Sequence, residues 1–345
     1  MVLKMTTVVR ISPLGIFFCV CGGFVLLFTL KNFMFNDRPF LELYMGEKIP
    51  IKRLLETSIY LAERGGKVLK DIREKSDLQA RSKGQTLEGA NDPLTAGDIE
   101  SHKAMVYGFR YLFPLLTVVS EEHDNGDTQK QYDEINISDI LNIGDDLYSK
   151  EKEEVSADDV LIWVDPLDAT QEYTENLTQY VTTMVCIVVK GIPIAGVIHQ
   201  PFLKKTYWAW TNHGHSKFLS KPPVKEASFQ NPRIIVSRSH AGPVNKTAKS
   251  AFGKDVKIIP AGGAGFKVLS LFNNIADAYV HKTLIKRWDI CAGDAILRSF
   301  GGKMTKLNGA DINYGDQFNV KNSGGILATL SNHEQFLDKL STLTT

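Results

Sequence analysis

The chain has 345 residues, 43% of them hydrophobic and 23% charged, which is typical of a globular protein and excludes a disordered polypeptide. Its length accommodates one large domain or two modest ones. A formal net charge of +1 argues against the broad basic surface that sequence-independent nucleic-acid binding uses, so we expect a small-molecule partner and no nucleic acid.

The N-terminal region predicts a membrane anchor. Residues 11–30 contain no charged side chain, and at ~1.5 Å per residue a helix of this length crosses a hydrocarbon core of ~30 Å. A cleaved signal peptide is the alternative, but the apolar run is long for one and is followed by Lys31 and bulky residues instead of small ones. Lys4 and Arg10 precede the span, which predicts a cytosolic tail over residues 1–10 and a single-pass type II orientation.

The remainder of the chain is therefore expected on the lumenal side, after a stem at residues 31–48. Three N-x-S/T sequons at Asn136, Asn176 and Asn245 fit a lumenal glycoprotein. Asn245 is the first choice for glycosylation because it follows Gly242–Pro243 in a predicted surface turn.

Two of the four cysteines, Cys186 and Cys291, lie outside the apolar N-terminal run. Each stands in an apolar stretch of sequence, where a buried free thiol is the commoner arrangement. We therefore expect two free thiols, with a Cys186–Cys291 disulfide as the less favoured alternative.

The soluble part predicts an α/β protein with mixed sheets. Apolar residues at helical spacing predict a first helix over residues 49–73 and a second over residues 98–111. An acidic stretch rich in Gly and Ser, residues 123–159, is predicted to be a surface insertion. This pattern divides the chain into an N-terminal α+β half at residues 49–195 and a C-terminal α/β half at residues 196–345.

Strand and helix candidates follow one another closely outside the insertion. In chain order, the predicted strands are residues 115–120, 160–164, 181–189, 193–201, 206–210, 233–239, 256–262 and 277–282, and the later helices are residues 265–276 and 289–301.

Acidic side chains stand where buried strands end or helices begin. Glu121 and Glu122 follow the first strand, and Asp165 ends the second. Pro166 is expected to form a turn that places Asp168 on the same side as Asp165, and Asp289 stands at the start of a helix. Carboxylates at strand ends converge from distant parts of a chain, and Mg²⁺ takes oxygen ligands of this kind. Taken singly, Asp165 and Asp289 fit a turn residue and a helix N-cap, the commonest roles of Asp in these contexts.

Taken together, these segments resemble the inositol monophosphatase superfamily in order, spacing and chemistry, from about Leu54 to the C-terminus. The family's four signatures are matched by D-x-x-T-x-x-D at Asp92–Asp98, the pair Glu121–Glu122, D-P-L-D-A-T at Asp165–Thr170 and W-D-I-C-A-G at Trp288–Gly293. The resemblance implies an α/β (α+β) layered sandwich in which helix and sheet layers alternate.

The resemblance also implies a role for each matched position. It makes the metal ligands Glu121, Asp165, the backbone carbonyl of Leu167, Asp168 and Asp289, which would hold two or three Mg²⁺ ions, with lithium as an inhibitor. Thr170 and Asp98 would orient and deprotonate the attacking water, and N–H groups at Ala169 and Thr170 would bind phosphate. Ala169 departs from the family, which mostly has Gly there, a residue that permits positive φ.

The anchor, the insertion and the D-P-L-D-A-T variant resemble a Golgi-resident branch of the family. That branch removes the 3′-phosphate of adenosine 3′,5′-bisphosphate, a by-product of lumenal sulfation, to give AMP and phosphate. The resemblance then implies substrate contacts by Ser237, His240, Gly263 and Lys267, whereas plain turns at these positions are the alternative.

Two other functions stay open at this point. A lumenal inositol phosphate or sugar phosphate phosphatase would have the same metal site and a different substrate pocket. A catalytically silent, membrane-anchored binding module would have no phosphatase activity. The sequence does not set the oligomeric state, and a homodimer is one option.

Overall fold

The computed structural model describes residues 48–76, 78–85, 89, 91–123, 135, 137–143, 153–223, 231–238 and 244–341, apart from the side chains of residues 137, 142, 245 and 341. Within these residues, no helix combines the length and apolar character that a membrane crossing requires. The predicted anchor at residues 11–30, His240 and the sequon residue Asn136 lie outside them.

Nine α-helices occur in the described part of the chain. They are α1 (Ile51–Glu74), α2 (Ala96–His102), α3 (Gly108–Leu112), α4 (Ile137–Ile143), α5 (Thr170–Thr174), α6 (Val244–Phe252), α7 (Ala264–Phe272), α8 (Arg287–Ser299) and α9 (His333–Ser341). A π-helix at Lys103–Tyr107 joins α2 to α3, and short 3₁₀ turns lie at Ala157–Asp159 and Thr178–Tyr180.

The strands form two large sheets and three short ladders. They are β1 (Lys48–Pro50), β2 (Arg81–Gln85), β3 (Asn91–Leu94), β4 (Thr117–Ser120), β5 (Glu154–Ser156), β6 (Val160–Asp168), β7 (Thr182–Val189), β8 (Ile192–Gln200), β9 (Lys205–Trp210), β10 (Gly214–His215), β11 (Arg233–Ser237), β12 (Lys257–Ala261), β13 (Ala278–His281), β14 (Ile285–Lys286), β15 (Lys303–Thr305), β16 (Lys321–Asn322) and β17 (Ile326–Thr329).

The six-stranded sheet has the order β10-β9-β8-β7-β6-β4 and is antiparallel except for the β4–β6 pair. Nearly all residues of its central strands β6 and β7 are buried because helices cover both faces of the sheet. Helix α1 packs across β7 and β8 on one face, where Thr183 Oγ1 donates to the carbonyl of Ala62 at 2.8 Å. Met184 and Val188 point to the other face and join the core that contains α7 and α8.

The five-stranded sheet has the order β12-β11-β13-β17-β15, with β11 parallel to both of its neighbours. Its inner face packs on α7 and α8. Its outer face packs on α6 and α9, which meet through Phe252 and Phe336 at 5.5 Å between ring centroids. The order of layers is helix, sheet, helix, sheet, helix, which confirms the predicted layered α/β fold.

Two local predictions are wrong. The turn expected at Pro166 does not form, because β6 continues to Asp168 and its register with β7 shifts between Asp165 and Asp168 instead. The surface turn expected at Asn245 is part of α6, which buries Val244 and Ala248 one helical turn apart. The expected division of the chain at residue 195 falls inside β8.

The expectation of two free thiols is also wrong. Cys186 and Cys291 form a disulfide with their Cα atoms 5.7 Å apart. Cys186 lies on the face of β7 that α8 covers, and Cys291 lies on α8. A separation of 105 residues conceals this proximity in the sequence.

Candidate active site

A cavity of about 420 Å³ opens where β6, α5, α7 and α8 meet. Most of the predicted site residues line it, namely Glu121, Asp165, Leu167, Asp168, Ala169, Thr170, Ser237, Gly263, Lys267 and Asp289. Segments far apart in the chain therefore converge on one concave surface, as the strand-end argument predicts.

Three carboxylates form a cluster at one end of the cavity. One oxygen of each of Glu121, Asp165 and Asp289 lies within 4.8 Å of the others. Backbone bonds fix two of these side chains, because Leu167 N donates to Asp165 Oδ1 at 3.1 Å and Lys286 N donates to Asp289 Oδ2 at 2.9 Å. The second bond is an N-terminal cap of α8, so Asp289 both caps a helix and faces the cavity.

The charges of this cluster oppose one another. Burial and the neighbouring carboxylates raise the pKa of Asp165 and Asp289 well above the ordinary range. Burial, with a further contribution from Glu122, raises the pKa of Glu121 to about 7. A divalent cation coordinated by oxygen would relieve this repulsion, so the donor set fits Mg²⁺.

Asp168 does not join the three-carboxylate cluster. Its Oδ1 accepts a hydrogen bond from Ala264 N at 2.9 Å, and its Oδ2 accepts from Gly265 N at 2.8 Å and from Thr182 Oγ1 at 2.9 Å. These bonds tie the start of α7 to the end of β6. Asp168 is thus observed to join β6 to α7, and its role as a metal ligand stays a prediction.

Thr170 and Asp98 are in direct contact, as their predicted roles require. Thr170 Oγ1 lies 3.0 Å from Asp98 Oδ1 and 3.1 Å from the carbonyl oxygen of Leu167, and it can donate to either. Asp98 Oδ2 accepts from both the backbone N and the Oγ1 of Thr95, at 2.6 and 2.7 Å. Burial raises the pKa of Asp98 to about 6, so at neutral pH its carboxylate is mostly ionised and can accept a proton.

Two residues that line the cavity have positive φ angles. Ala169, the N-cap of α5, has φ of 73°, which explains why glycine suits this position and which strains an alanine by about 1 kcal/mol. Gly263 has φ of 62°, and a Cβ there would lie 2.6 Å from the carbonyl oxygen of Tyr180. No side chain larger than that of glycine fits at Gly263 without movement.

The predicted substrate residues differ in their surroundings. Ser237 ends β11 and lines the cavity, and His240 lies outside the described residues. Lys267 is only 4% exposed, and burial lowers its pKa against the opposing charges of Asp168, Glu172 and Asp289. Its ammonium group therefore balances the carboxylates of the site.

Several site residues had no recognisable signal in the sequence. Lys83, on the exposed strand β2, forms ion pairs with Glu121 at 3.2 Å and with Glu122. Lys286 and Lys321 line the cavity as directly opposed residues of the β14–β16 ladder. Lys321 reaches the cavity by the pairing of β16 with β14, and Lys83 meets Glu121 across a separation of 38 residues, so spacing along the chain does not reveal these two lysines.

Comparisons with known proteins agree with this geometry. The inositol monophosphatase family matches residues 51–345. Inositol monophosphatase 3 of Danio rerio is 42% identical over 342 residues, covering 96% of each chain. The Golgi-resident adenosine 3′,5′-bisphosphate 3′-phosphatase of Homo sapiens is 40% identical over 365 aligned positions, covering 97% of each chain.

Solved structures show the same fold at lower identity. The IMPase of Thermotoga maritima aligns with a TM-score of 0.61 at 20% identity, covering 84% of this chain and 98% of its own. The inositol monophosphatase of Anabaena aligns with a TM-score of 0.58 over 85% of this chain and 96% of its own. The chain belongs to the inositol monophosphatase family and is a phosphoric monoester hydrolase.

Proposed function

We propose that this phosphatase depends on Mg²⁺ and hydrolyses the 3′-phosphate of adenosine 3′,5′-bisphosphate, giving AMP and phosphate, on the lumenal side of the Golgi membrane. The observation that carries the chemistry is the contact between Thr170 and Asp98 beside the cluster of Glu121, Asp165 and Asp289.

The cluster and Asp168 would hold two or three Mg²⁺ ions, with the carbonyl of Leu167 as a further ligand. When bound, Mg²⁺ supplies positive charge that stabilises the entering and leaving oxygens of an in-line displacement at phosphorus. Thr170 Oγ1 donates to Asp98 and accepts from the attacking water, whose proton passes through the hydroxyl to the carboxylate. The new P–O bond forms as the bond to the 3′-oxygen breaks. That oxygen takes a proton from solvent water, and Asp98 returns the proton it accepted to solvent.

Basic residues support a substrate with a second anionic group. Lys286 and Lys321 line the same cavity as the carboxylates. They stand directly opposite each other in an antiparallel ladder, where like charges are destabilising unless an anion lies between them. A bisphosphate places one phosphate at the carboxylate end and offers the other to these lysines.

The location in the secretory pathway has support from three sides. The uncharged residues 11–30 are long enough for an anchor. The Cys186–Cys291 disulfide fits an oxidising compartment. Relatives at about 40% identity carry the description Golgi-resident.

The location is tested in cells. We expect the protein to resist carbonate extraction and to carry glycans that an N-glycosidase removes. A soluble, unglycosylated protein in the cytosol would contradict this location.

The substrate is tested by phosphate release from adenosine 3′,5′-bisphosphate, adenosine 3′-monophosphate and inositol 1-phosphate with Mg²⁺ present. We expect the largest kcat/KM for the bisphosphate. Preference for inositol 1-phosphate would support the second candidate, an inositol monophosphate phosphatase, which the name of the Danio rerio relative favours.

The metal requirement is tested with Asp165→Asn. An amide weakens Mg²⁺ binding and leaves the charge on phosphate less balanced, so we expect kcat to fall by several orders of magnitude. The same change removes a buried like charge, so the melting temperature in chelator should not fall. Asp158→Asn, at an exposed position outside the cavity, is the matched control. Full activity of Asp165→Asn, or of the wild type in chelator, would exclude the mechanism.

A further inference from the structure

One tyrosine in the cavity has a hydroxyl group without a hydrogen-bond partner among the residues that the structure describes. Tyr279 lies on β13, is 0% exposed and lines the cavity. Its hydroxyl makes no hydrogen bond with any described residue. Among the described residues that have a buried polar side-chain atom of this kind, Tyr279 is the one that lines the active cavity.

A buried hydroxyl without a partner is unfavourable by about 1–3 kcal/mol, so folded proteins normally pair such groups. Tyr173, which is equally buried, shows the ordinary arrangement: its hydroxyl donates to the carbonyl of Leu69 at 2.8 Å. The hydroxyl of Tyr279 therefore indicates a partner that the residues described by the structure do not supply.

The surroundings of Tyr279 identify the kind of partner. The Lys267 ammonium lies 5.3 Å from the centre of its ring. A tyrosine hydroxyl is protonated at neutral pH, so the phenol can donate a hydrogen bond. Both oxygens of Asp168 already accept bonds from other donors. A donor next to a lysine, at the carboxylate end of the cavity, suits an oxygen of the phosphate that is hydrolysed.

We propose that the Tyr279 hydroxyl donates a hydrogen bond to an oxygen of the substrate's phosphate ester and so helps to position the phosphate for attack. The inference rests on the phosphatase activity but not on the identity of the alcohol, because the contact is with the phosphate common to all candidate substrates.

Tyr279→Phe, made in the full-length protein, removes only the hydroxyl. We expect kcat/KM to fall about 10- to 100-fold, the loss typical of a hydrogen bond to a charged group, on both adenosine 3′,5′-bisphosphate and inositol 1-phosphate. The affinity for inorganic phosphate, measured calorimetrically with Mg²⁺, should weaken by a similar factor. The melting temperature without ligand should stay the same or rise, because an unpaired buried group has been removed.

Tyr173→Phe is the comparison for stability, because it removes a hydroxyl that is paired within the protein; its melting temperature should fall. The inference is overturned if Tyr279→Phe keeps wild-type kcat/KM and phosphate affinity. It is also overturned if the melting temperature of Tyr279→Phe falls as far as that of Tyr173→Phe, since the hydroxyl would then be structural. A wild type with no activity on any phosphomonoester would instead contradict the proposed function, while the phosphate affinities would still test the Tyr279 contact.

Discussion

At the scale of single residues, the contact between Thr170 and Asp98 is the basis of the proposed activation of water. Asp98 has one oxygen bound to Thr95 and the other facing Thr170, so its carboxylate is held in one orientation. The sequence predicted both residues for the site, but only the structure shows that Asp98, the proposed proton acceptor, also caps a helix.

Thr170→Ala should lower kcat by roughly 10²- to 10⁴-fold, the usual contribution of general-base assistance, because the route from water to Asp98 is broken. The dependence on Mg²⁺ concentration should hardly change. Thr170→Ser, which keeps the hydroxyl, is the matched control and should retain most of the activity. If Thr170→Ala lost Mg²⁺ affinity but kept kcat at saturating metal, Thr170 would belong to the metal site instead.

At the scale of secondary-structure elements, the short β14–β16 ladder places two lysines at the cavity. Lys286 also lies 5.3 Å from the ring of Trp288, so aromatic packing fixes its position. Lys321 is exposed at the opposite strand and forms no ion pair with the residues that the structure describes. The ladder therefore presents a pair of cations whose repulsion a bound anion would reduce.

Lys321→Ala should lower kcat/KM for adenosine 3′,5′-bisphosphate by about 10-fold, the effect of losing one charge-assisted contact. The loss on adenosine 3′-monophosphate, which lacks the second phosphate, should be much smaller. Lys257→Ala makes the same change of net charge at an exposed position outside the cavity and is the control. Equal losses on both nucleotides would show that the ladder does not bind the second phosphate.

The disulfide joins two other elements, because it ties β7 to the helix that carries Asp289. Closing a loop of this length stabilises a folded protein by about 2–5 kcal/mol. The double variant Cys186→Ala/Cys291→Ala should lose a comparable free energy of unfolding, measured by denaturant titration. A reductant should destabilise the wild type and leave the double variant unaffected. No response of the wild type to reductant under unfolding conditions would show that the bond does not form in solution.

At the scale of the whole molecule, we expect the acidic site to make stability depend on pH and on Mg²⁺. The pKa of Asp98 rises from 3.8 to about 6 and that of Glu121 from 4.5 to about 7, in both cases chiefly through burial. Between the ordinary pKa of each carboxyl group and its raised pKa in the folded protein, the folded state therefore binds more protons than the unfolded state. The free energy of unfolding in chelator must fall as pH rises through this window.

We expect the melting temperature in chelator to be lower at pH 8 than at pH 5. Mg²⁺ binds the ionised carboxylates, so the increase in melting temperature that Mg²⁺ produces should be larger at pH 8 than at pH 5. Calcium-free buffers with and without Mg²⁺, compared by calorimetry, give both quantities. A Mg²⁺ effect that is the same at both pH values would contradict the assignment of these carboxylates to a metal site.

The sequence by itself determined the features that depend on neighbours along the chain. Apolar spacing predicted α1, and apolar runs predicted β7 and β8. A polar residue after an apolar strand located Glu121, and an acidic residue at the start of a helix located Asp289. These features are set by backbone propensity and by contacts a few residues apart, which periodicity and local residue types report directly.

The tertiary structure alone decided which distant side chains meet. The Cys186–Cys291 bond, the three hydrogen bonds to Asp168 and the opposition of Lys286 and Lys321 each depend on the register of strands and the packing of helices against them. A shift of one residue in the pairing register of a strand turns every side chain to the other face of the sheet. The alternation of polar and apolar residues along a strand specifies its buried face, but it does not specify which residues of another element contact that face. For that reason the residues of the carboxylate cluster could be predicted, whereas the Tyr279 hydroxyl, which has no hydrogen-bond partner among the described residues, could be found only in the folded molecule.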